Sequence, residues 1–125
     1  MSDPFSLAGK RILVTGANTG IGQGIAVSIA RAGGTVIGVG RSSMDDTARK
    51  IATMGGQFEA VSADLADTSA AGPLLDRVWD ESGPLDGLVN NAGIIRRADA
   101  VDLSEADWDD VMDVNLKTVF LLCQS

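Results

Sequence analysis

Three glycines with a fixed spacing are the residues of this sequence with the clearest chemical meaning. Gly16, Gly20 and Gly22 follow an aliphatic run at 11–15 and precede isoleucines spaced four residues apart, so the order is strand, turn, helix. The start of a helix presents unpaired backbone N–H groups and the positive end of its dipole, and both favour an anion. The segment 15–22, called the glycine turn below, therefore predicts a binding site for a pyrophosphate.

Each glycine has its own predicted role in this site. Gly16 would permit the tight turn, Gly20 would let the backbone approach the phosphates, and Gly22 would let the helix lie close to the strand. The amides expected around the anion also include those of Asn18, Thr19 and Ile21. The spacing, Gly-x-x-x-Gly-x-Gly, differs from the commonest dinucleotide motif, and a loop that is glycine-rich for other reasons stays open as the alternative.

The composition is typical of one globular domain. The chain has 125 residues, of which 45% are hydrophobic and 22% charged, and no apolar run approaches the roughly 20 residues that span a bilayer. The net charge of −7 argues against a nucleic-acid partner, because most of this surface would repel phosphates. One cysteine and no histidine predict neither an internal disulfide nor a metal site. The first residues do not resemble a secretion signal, so a cytoplasmic protein is expected.

Strands and helices alternate along the sequence. The first strand, the glycine turn and the first helix occupy about 11–32. Further strands are predicted at 35–39, 58–61 and 85–89, and further helices at about 44–54, at about 69–81 and from 104 to the end of the chain. This alternation predicts an α/β fold with a parallel sheet and right-handed crossovers.

Three further signals stand at fixed places relative to the glycine turn. Asp64-Leu65 follows the third strand, Asn90-Asn91-Ala92-Gly93 follows the fourth, and Asn115 lies in the last helix. With the glycine turn, they make the chain resemble the short-chain dehydrogenase/reductase family over nearly its whole length. The resemblance implies a Rossmann-type three-layer fold with strand order 3-2-1-4. It also implies an NAD- or NADP-dependent oxidoreductase that interconverts a secondary alcohol and a ketone.

The resemblance gives the first two signals roles in cofactor binding. Asp64 would accept a hydrogen bond from the adenine amino group, and Leu65 would support the ring. The last three residues of Asn90-Asn91-Ala92-Gly93 would pass along the cofactor's ribose, and the first would help hold the strand end. Without the resemblance, Asp64 is more easily a turn or capping residue, and the asparagine pair could equally be loop residues.

Asn115 is the predicted catalytic residue. It is an amide between Val114 and Leu116, a poor helix residue at a place where burial without partners would be costly. In the family that the chain resembles, this asparagine perturbs the helix and holds a water of the proton relay.

The end of the second strand predicts the type of cofactor. A carboxylate about 20 residues past the glycine turn would bind the ribose 2′-OH of NAD and repel a 2′-phosphate. Here Gly40 stands at that place, followed by Arg41, Ser42 and Ser43. These residues favour the 2′-phosphate of NADP. The alternative is a loop arginine that stacks on adenine and serves NAD equally well.

Arg96 and Arg97 are the candidate substrate residues. The segments 90–100 and 107–111 resemble a group of sugar-acid dehydrogenases within the family, the 2-deoxy-D-gluconate 3-dehydrogenase group. The arginine pair would offer a partner to the carboxylate of such a substrate. A solvated pair or a subunit contact is an equal alternative. That group is generally regarded as using NAD, in conflict with the interpretation of Arg41.

The chemistry of the family needs a tyrosine as general acid/base, a lysine four residues later and a serine, and this chain has no tyrosine. We therefore expect residues 1–125 to be the dinucleotide-binding, N-terminal half of a longer dehydrogenase. The fourth strand, apolar on both faces, would then be an exposed edge.

Two functions remain at this stage. The first is the cofactor-binding half of an oxidoreductase with a small hydroxy or keto substrate, and the resemblance suggests a homotetramer. The second is a short, catalytically inert dinucleotide-binding or interaction module.

Overall fold

Four parallel strands form the centre of the structure, a computed structural model that describes residues 3–125. Residues 1 and 2 of the predicted domain lie outside the described part. The strands are β1 (Arg11–Thr15), β2 (Thr35–Gly40), β3 (Gln57–Ser62) and β4 (Gly87–Val89). They pair in parallel in the order β3-β2-β1-β4, as predicted.

Helices follow each strand along the chain. They are α1 (Gly20–Arg31), α2 (Asp45–Thr53), α3 (Ala71–Ser82), α4 (Glu105–Met112) and α5 (Thr118–Gln124). A short 3-10 helix, Thr68–Ala70, precedes α3, and a π-helical turn, Asp113–Lys117, joins α4 to α5. The predicted single last helix is therefore continuous in direction but changes its hydrogen-bond pattern in the middle. None of the helices within residues 3–125 is long and apolar enough to cross a membrane.

The start of the fourth strand differs from the prediction, which placed it at residue 85. The N–H of Asp86 donates to the carbonyl of Arg11 (2.8 Å), and the Asp86 carboxylate accepts from the N–H of Arg11 (2.9 Å). One backbone bond and one side-chain bond thus close this end of the sheet, where a regular ladder would use two backbone bonds. Regular pairing begins with Gly87 opposite Ile12.

The core lies on both faces of the sheet. Neighbouring residues of a strand point to opposite faces, so Leu13 packs with Ile37 and α3 on one side, while Val14 packs with Val36 and α1 on the other. The predicted three-layer arrangement is confirmed. Within residues 3–125, β4 is an edge strand, also as predicted, and its Leu88 is only partly buried.

Candidate functional site

The glycine turn has the backbone geometry that a close approach to a ligand requires. Gly16 (φ +68°) and Gly20 (φ +57°) lie in the left-handed region, which residues with a Cβ rarely adopt. A Cβ at Gly20 would have no atom within 4 Å, so the space beside it is open. A Cβ at Gly22 would collide with the carbonyl oxygen of Gly16 and the side-chain amide of Asn91. Helix α1 therefore starts in direct contact with the turn, as its sequence predicts.

The N-terminus of α1 has no built-in counter-charge. Thr19 is the N-cap residue in an extended conformation, and its side chain makes no capping hydrogen bond within the described residues. The first turn contains no acidic residue. The first N–H groups of α1 are therefore available to an external anion.

A cleft of about 540 Å³ crosses the carboxyl ends of the four strands and joins most of the predicted residues. From the glycine turn it is lined by Gly16, Asn18 and Thr19, and from the end of β2 by Arg41 and Ser42. From the ends of β3 and β4 it is lined by Asp64, Leu65, Asn91, Ala92 and Gly93, and Arg96 follows them.

The other predicted residues do not line this cleft. Gly22 is buried behind the turn, and Ile21 is 78% exposed. The amide of Asn90 donates to the sulfur of Cys123 (3.5 Å).

Thr15 is a residue that sequence reasoning missed as part of the site. Its side chain is buried, and its hydroxyl accepts hydrogen bonds from the backbone N–H groups of Asn91 (3.0 Å) and Ala92 (2.9 Å). The side chain of Asn91 in turn donates to the carbonyl of Gly16 (3.3 Å). These bonds fasten the segment after β4 to the glycine turn. A threonine that ends a strand just before a glycine was the available signal, but its partners lie more than 70 residues away.

Asp64 has the position of a turn residue and also that of a cleft residue, the two interpretations that the sequence left open. Its Oδ1 accepts from the N–H of Ala66 (3.0 Å), so it is a turn residue, and it also lines the cleft. A carboxylate keeps further acceptor sites after one such bond. Leu65 is buried beside it, and the hydroxyl of Thr118 holds the Leu65 carbonyl (2.7 Å). The end of β3 is thereby fixed against α5.

Asn115 lies in the π-helical turn, so the helix perturbation implied by the resemblance is present. The residue is exposed, so the cost of burying its amide does not arise. The polar groups are nevertheless satisfied: Oδ1 accepts from the N–H of Ile94 (2.8 Å) and Nδ2 donates to the Ile94 carbonyl (2.9 Å). A Cβ at Gly93 would stand 3.2 Å from Asn115 Oδ1, so the segment after β4 and the π turn fit closely.

The end of β2 contributes a basic and hydroxylic edge to the cleft. Gly40 is buried, and the exposed Arg41 and Ser42 line the cleft directly after it. No carboxylate at the end of β2 would oppose a phosphate there. The acidic residues that line the cleft are Asp64 and Asp110.

The two arginines of the predicted pair have different environments in the structure. Arg96 lines the cleft, whereas the exposed Arg97 does not. The guanidinium of Arg96 is 3.6 Å from a carboxylate oxygen of Asp107 and 3.9 Å from one of Asp110. Two carboxylates on α4 therefore orient Arg96 and partly balance its charge.

The comparisons with known proteins agree with this architecture. Residues 10–125 match the sequence profile described as short chain dehydrogenase. A 2-dehydro-3-deoxy-D-gluconate 5-dehydrogenase from Dickeya dadantii (strain 3937) is 46% identical over 121 residues, which are 97% of this chain and 48% of that protein. The Escherichia coli (strain K12) enzyme of the same name is also 46% identical over 121 residues, with the same coverage.

Solved structures are similar over the same range. A protein from Agrobacterium tumefaciens, provisionally named a 2-deoxy-D-gluconate 3-dehydrogenase and crystallised with NADP, has 53% identity and a TM-score of 0.90 over 98% of this chain and 48% of its own. A provisionally named NAD(P)-dependent gluconate 5-dehydrogenase from Beutenbergia cavernae, with NADP at low occupancy, has 45% identity and a TM-score of 0.92, over 98% and 49%. The chain spans about half the length of these relatives. With its four-stranded parallel sheet and its glycine turn, the chain belongs to the short-chain dehydrogenase family.

Proposed function

We propose that this chain is the cofactor-binding half of an NADP-dependent oxidoreductase that interconverts a secondary alcohol and a ketone on a sugar acid. The observation that carries the proposal is the single cleft that joins the glycine turn to the ends of β2, β3 and β4. In open α/β sheets, ligands bind outside the carboxyl ends of the strands.

The shape and polarity of the cleft fit a dinucleotide. The glycine turn offers uncapped amides to the pyrophosphate, and the open space beside Gly20 lets the phosphates approach the backbone. Asp64 and Leu65 would hold the adenine, and the segment 91–93 would hold the ribose on the nicotinamide side. When bound, the nicotinamide supplies the hydride acceptor or donor.

The residues after β2 support NADP over NAD. Arg41 offers a guanidinium and Ser42 a hydroxyl to a 2′-phosphate, and Gly40 offers no carboxylate to repel it. The two solved relatives described above were crystallised with NADP, which agrees with this assignment. NAD remains the cofactor that the sugar-acid resemblance favours, so both must be tested.

The role proposed for Asn115 is to place a water for proton transfer. The π turn leaves main-chain groups of the helix in an altered pattern, and the Asn115 amide is held by Ile94. Proton transfer to the substrate itself needs a general acid/base, which in this family is a tyrosine, and these 125 residues contain none. Complete catalysis would therefore depend on residues beyond this chain.

Arg96 is the proposed contact for the substrate carboxylate. It lines the same cleft as the cofactor residues, and its partners Asp107 and Asp110 hold its guanidinium in place. A substrate carboxylate would have to share the guanidinium with them, which five N–H donors permit. Arg97 lies outside the cleft and is less suited to this role.

A homo-oligomer, with a tetramer as the specific proposal, is supported by the family resemblance and by three exposed apolar side chains on the last helices. Trp108, Leu116 and Phe120 follow one another at multiples of four residues, and each is more than half exposed. Large apolar side chains that are exposed together can mark an interaction site. A cytoplasmic location and a role in carbohydrate metabolism are parts of the same proposal.

The test is an assay of the full-length protein encoded by the gene with a panel of sugar acids and both cofactors. We expect NADP-dependent oxidation of a sugar acid, visible as NADPH absorbance. For the substrate role, Arg96→Ala should raise KM for the acid more than for its neutral alcohol analogue. Equal changes for both substrates would refute the carboxylate contact.

The alternative to a dehydrogenase half is a catalytically inert dinucleotide-binding or interaction module. The intact mass of the protein isolated from its natural source distinguishes the dehydrogenase half from the inert module. A natural protein of about 12.9 kDa that binds NADPH tightly would support the inert module.

A further inference from the structure

A buried hydroxyl on α2 reaches the carbonyl groups of the glycine turn. Thr47 is fully buried, and its Oγ1 lies 2.7 Å from the carbonyl oxygen of Ala17 and 3.3 Å from that of Asn18. Thr47 does not line the cleft, and neither the glycine motif nor the family resemblance pointed to it. Its only described polar partners belong to the glycine turn and to Gln23 of α1.

Gln23 extends this contact from the side of α1. Its Nε2 is 3.0 Å from the Thr47 hydroxyl, 3.2 Å from the Asn18 carbonyl and 3.0 Å from a carboxylate oxygen of Asp46. Its Oε1 accepts from Lys50 (2.9 Å). Hydrogen bonds from Gln23 and Lys50 lower the pKa of Asp46, so this acceptor is ionised at neutral pH. The side chain of Gln23 is thus oriented by two charged residues of α2.

The planarity of the peptide bond converts this contact into an orientation of amides. In a trans peptide, the C=O and the following N–H point in opposite directions. Holding the carbonyls of Ala17 and Asn18 toward α2 therefore turns the N–H groups of Asn18 and Thr19 away from α2. Both Asn18 and Thr19 line the cleft, so N–H groups that point away from α2 can face it. If the carbonyls rotated into the cleft, they would present negative dipoles to an anionic ligand.

We propose that Thr47 and Gln23 are positioning residues for the dinucleotide: they hold the Ala17 and Asn18 carbonyls against α2, so that the following amides face the pyrophosphate. The inference rests on the proposed cofactor site. It adds that two side chains outside the cleft, one on α2 and one on α1, contribute to pyrophosphate affinity. Helix α2 begins three residues after Ser42, so it adjoins the 2′-phosphate edge of the cleft as well as the glycine turn.

The test compares a ligand that needs the pyrophosphate contact with one that does not. Thr47→Val preserves the volume of the side chain and removes its hydrogen bonds. In the full-length protein we expect its Kd for NADPH to rise about tenfold, as the loss of such bonds implies. Its Kd for adenosine 2′-monophosphate, which has no pyrophosphate, should change less than about twofold. Thr47→Ser should restore NADPH binding.

Two further variants keep the test decisive. Gln23→Leu removes the second set of donors at a half-buried position and should weaken NADPH binding with the same selectivity, even where Thr47→Val folds poorly. Thr53→Val is the matched control, because among residues 3–125 the Thr53 hydroxyl on the same helix bonds only to the carbonyl of Arg49 one turn away (2.8 Å). It should leave both affinities unchanged.

The outcomes separate this inference from the proposed function. Equal NADPH affinity in folded Thr47→Val, Gln23→Leu and unaltered protein would refute the positioning role alone. Parallel losses for NADPH and adenosine 2′-monophosphate would also refute it, because a general loss of structure affects both ligands. Failure of the unaltered, folded protein to bind NADPH would overturn the cofactor site and this inference with it.

Discussion

Single atoms decide the geometry of the glycine turn. The two glycines with left-handed backbone and the missing Cβ of Gly22 allow β1, the turn and α1 to meet without a gap. The spacing of the glycines predicts these positions, because glycine alone adopts a left-handed backbone easily and has no Cβ. The residue-level partners were less predictable: the buried hydroxyls of Thr15 and Thr47 act on groups 76 and 30 residues away, and no local pattern shows such pairs.

Gly22→Ala tests the close contact between α1 and the turn. The new Cβ would meet the carbonyl oxygen of Gly16, so we expect a loss of about 1–3 kcal/mol in the free energy of unfolding and weaker NADPH binding. Urea denaturation followed by circular dichroism measures the first effect. Gly24→Ala on the same helix is the control, since a Cβ there meets nothing within 4 Å, and it should stabilise by about 0.5–1 kcal/mol. Similar effects of both substitutions would contradict the contact.

Arg41→Asp tests the choice of cofactor. Replacing the guanidinium by a carboxylate removes a partner of the 2′-phosphate and adds a repulsive charge, so we expect the Kd for NADPH to rise at least about tenfold relative to that for NADH. Fluorescence titration with both cofactors gives the ratio. Arg77→Asp makes the same change of charge on α3, outside the cleft, and should leave the ratio unchanged. If the ratio of the two Kd values is unchanged in Arg41→Asp, this arginine does not bind the 2′-phosphate.

The ends of the strands bring the segments of the site together. Parallel pairing places the carboxyl ends of all four strands at one edge, which is why residues of 16–19, 40–42, 64–65 and 91–93 line one cleft although they are far apart in sequence. The alternation of strands and helices made this arrangement predictable. The perturbed helix at Asn115 was expected only from the family resemblance, and the late start of β4 was not expected. Both depend on tertiary hydrogen bonds, of Asn115 with Ile94 and of Asp86 with Arg11.

Thr15→Val tests the link between the ends of β1 and β4. The substitution leaves the N–H groups of Asn91 and Ala92 without their acceptor, and we expect a loss of about 2 kcal/mol in the free energy of unfolding. Thr35→Val on β2 provides a comparison at a half-buried strand position whose hydroxyl bonds to no residue within 3–125. If the two variants unfold at the same urea concentration, the link contributes nothing.

The whole chain is acidic, with a net charge of −7, yet its proposed ligand is an anion. Overall charge therefore cannot attract the cofactor, and local groups must bind it: oriented amides at the glycine turn and Arg41 at the 2′-phosphate. Tertiary packing also explains why Arg96 and Arg97 have different environments. The sequence shows two adjacent cations, but only the packing of α4 places Asp107 and Asp110 against the first of them.

The most direct test of pyrophosphate binding by the glycine turn is a ¹H–¹⁵N NMR titration of the full-length protein with NADPH. We predict saturable downfield shifts of the amide protons of Asn18, Thr19, Gly20 and Ile21, because each would gain or strengthen a bond to a phosphate oxygen. Shifts elsewhere with these four amides unchanged, or no shifts at all in the folded protein, would contradict the proposed site.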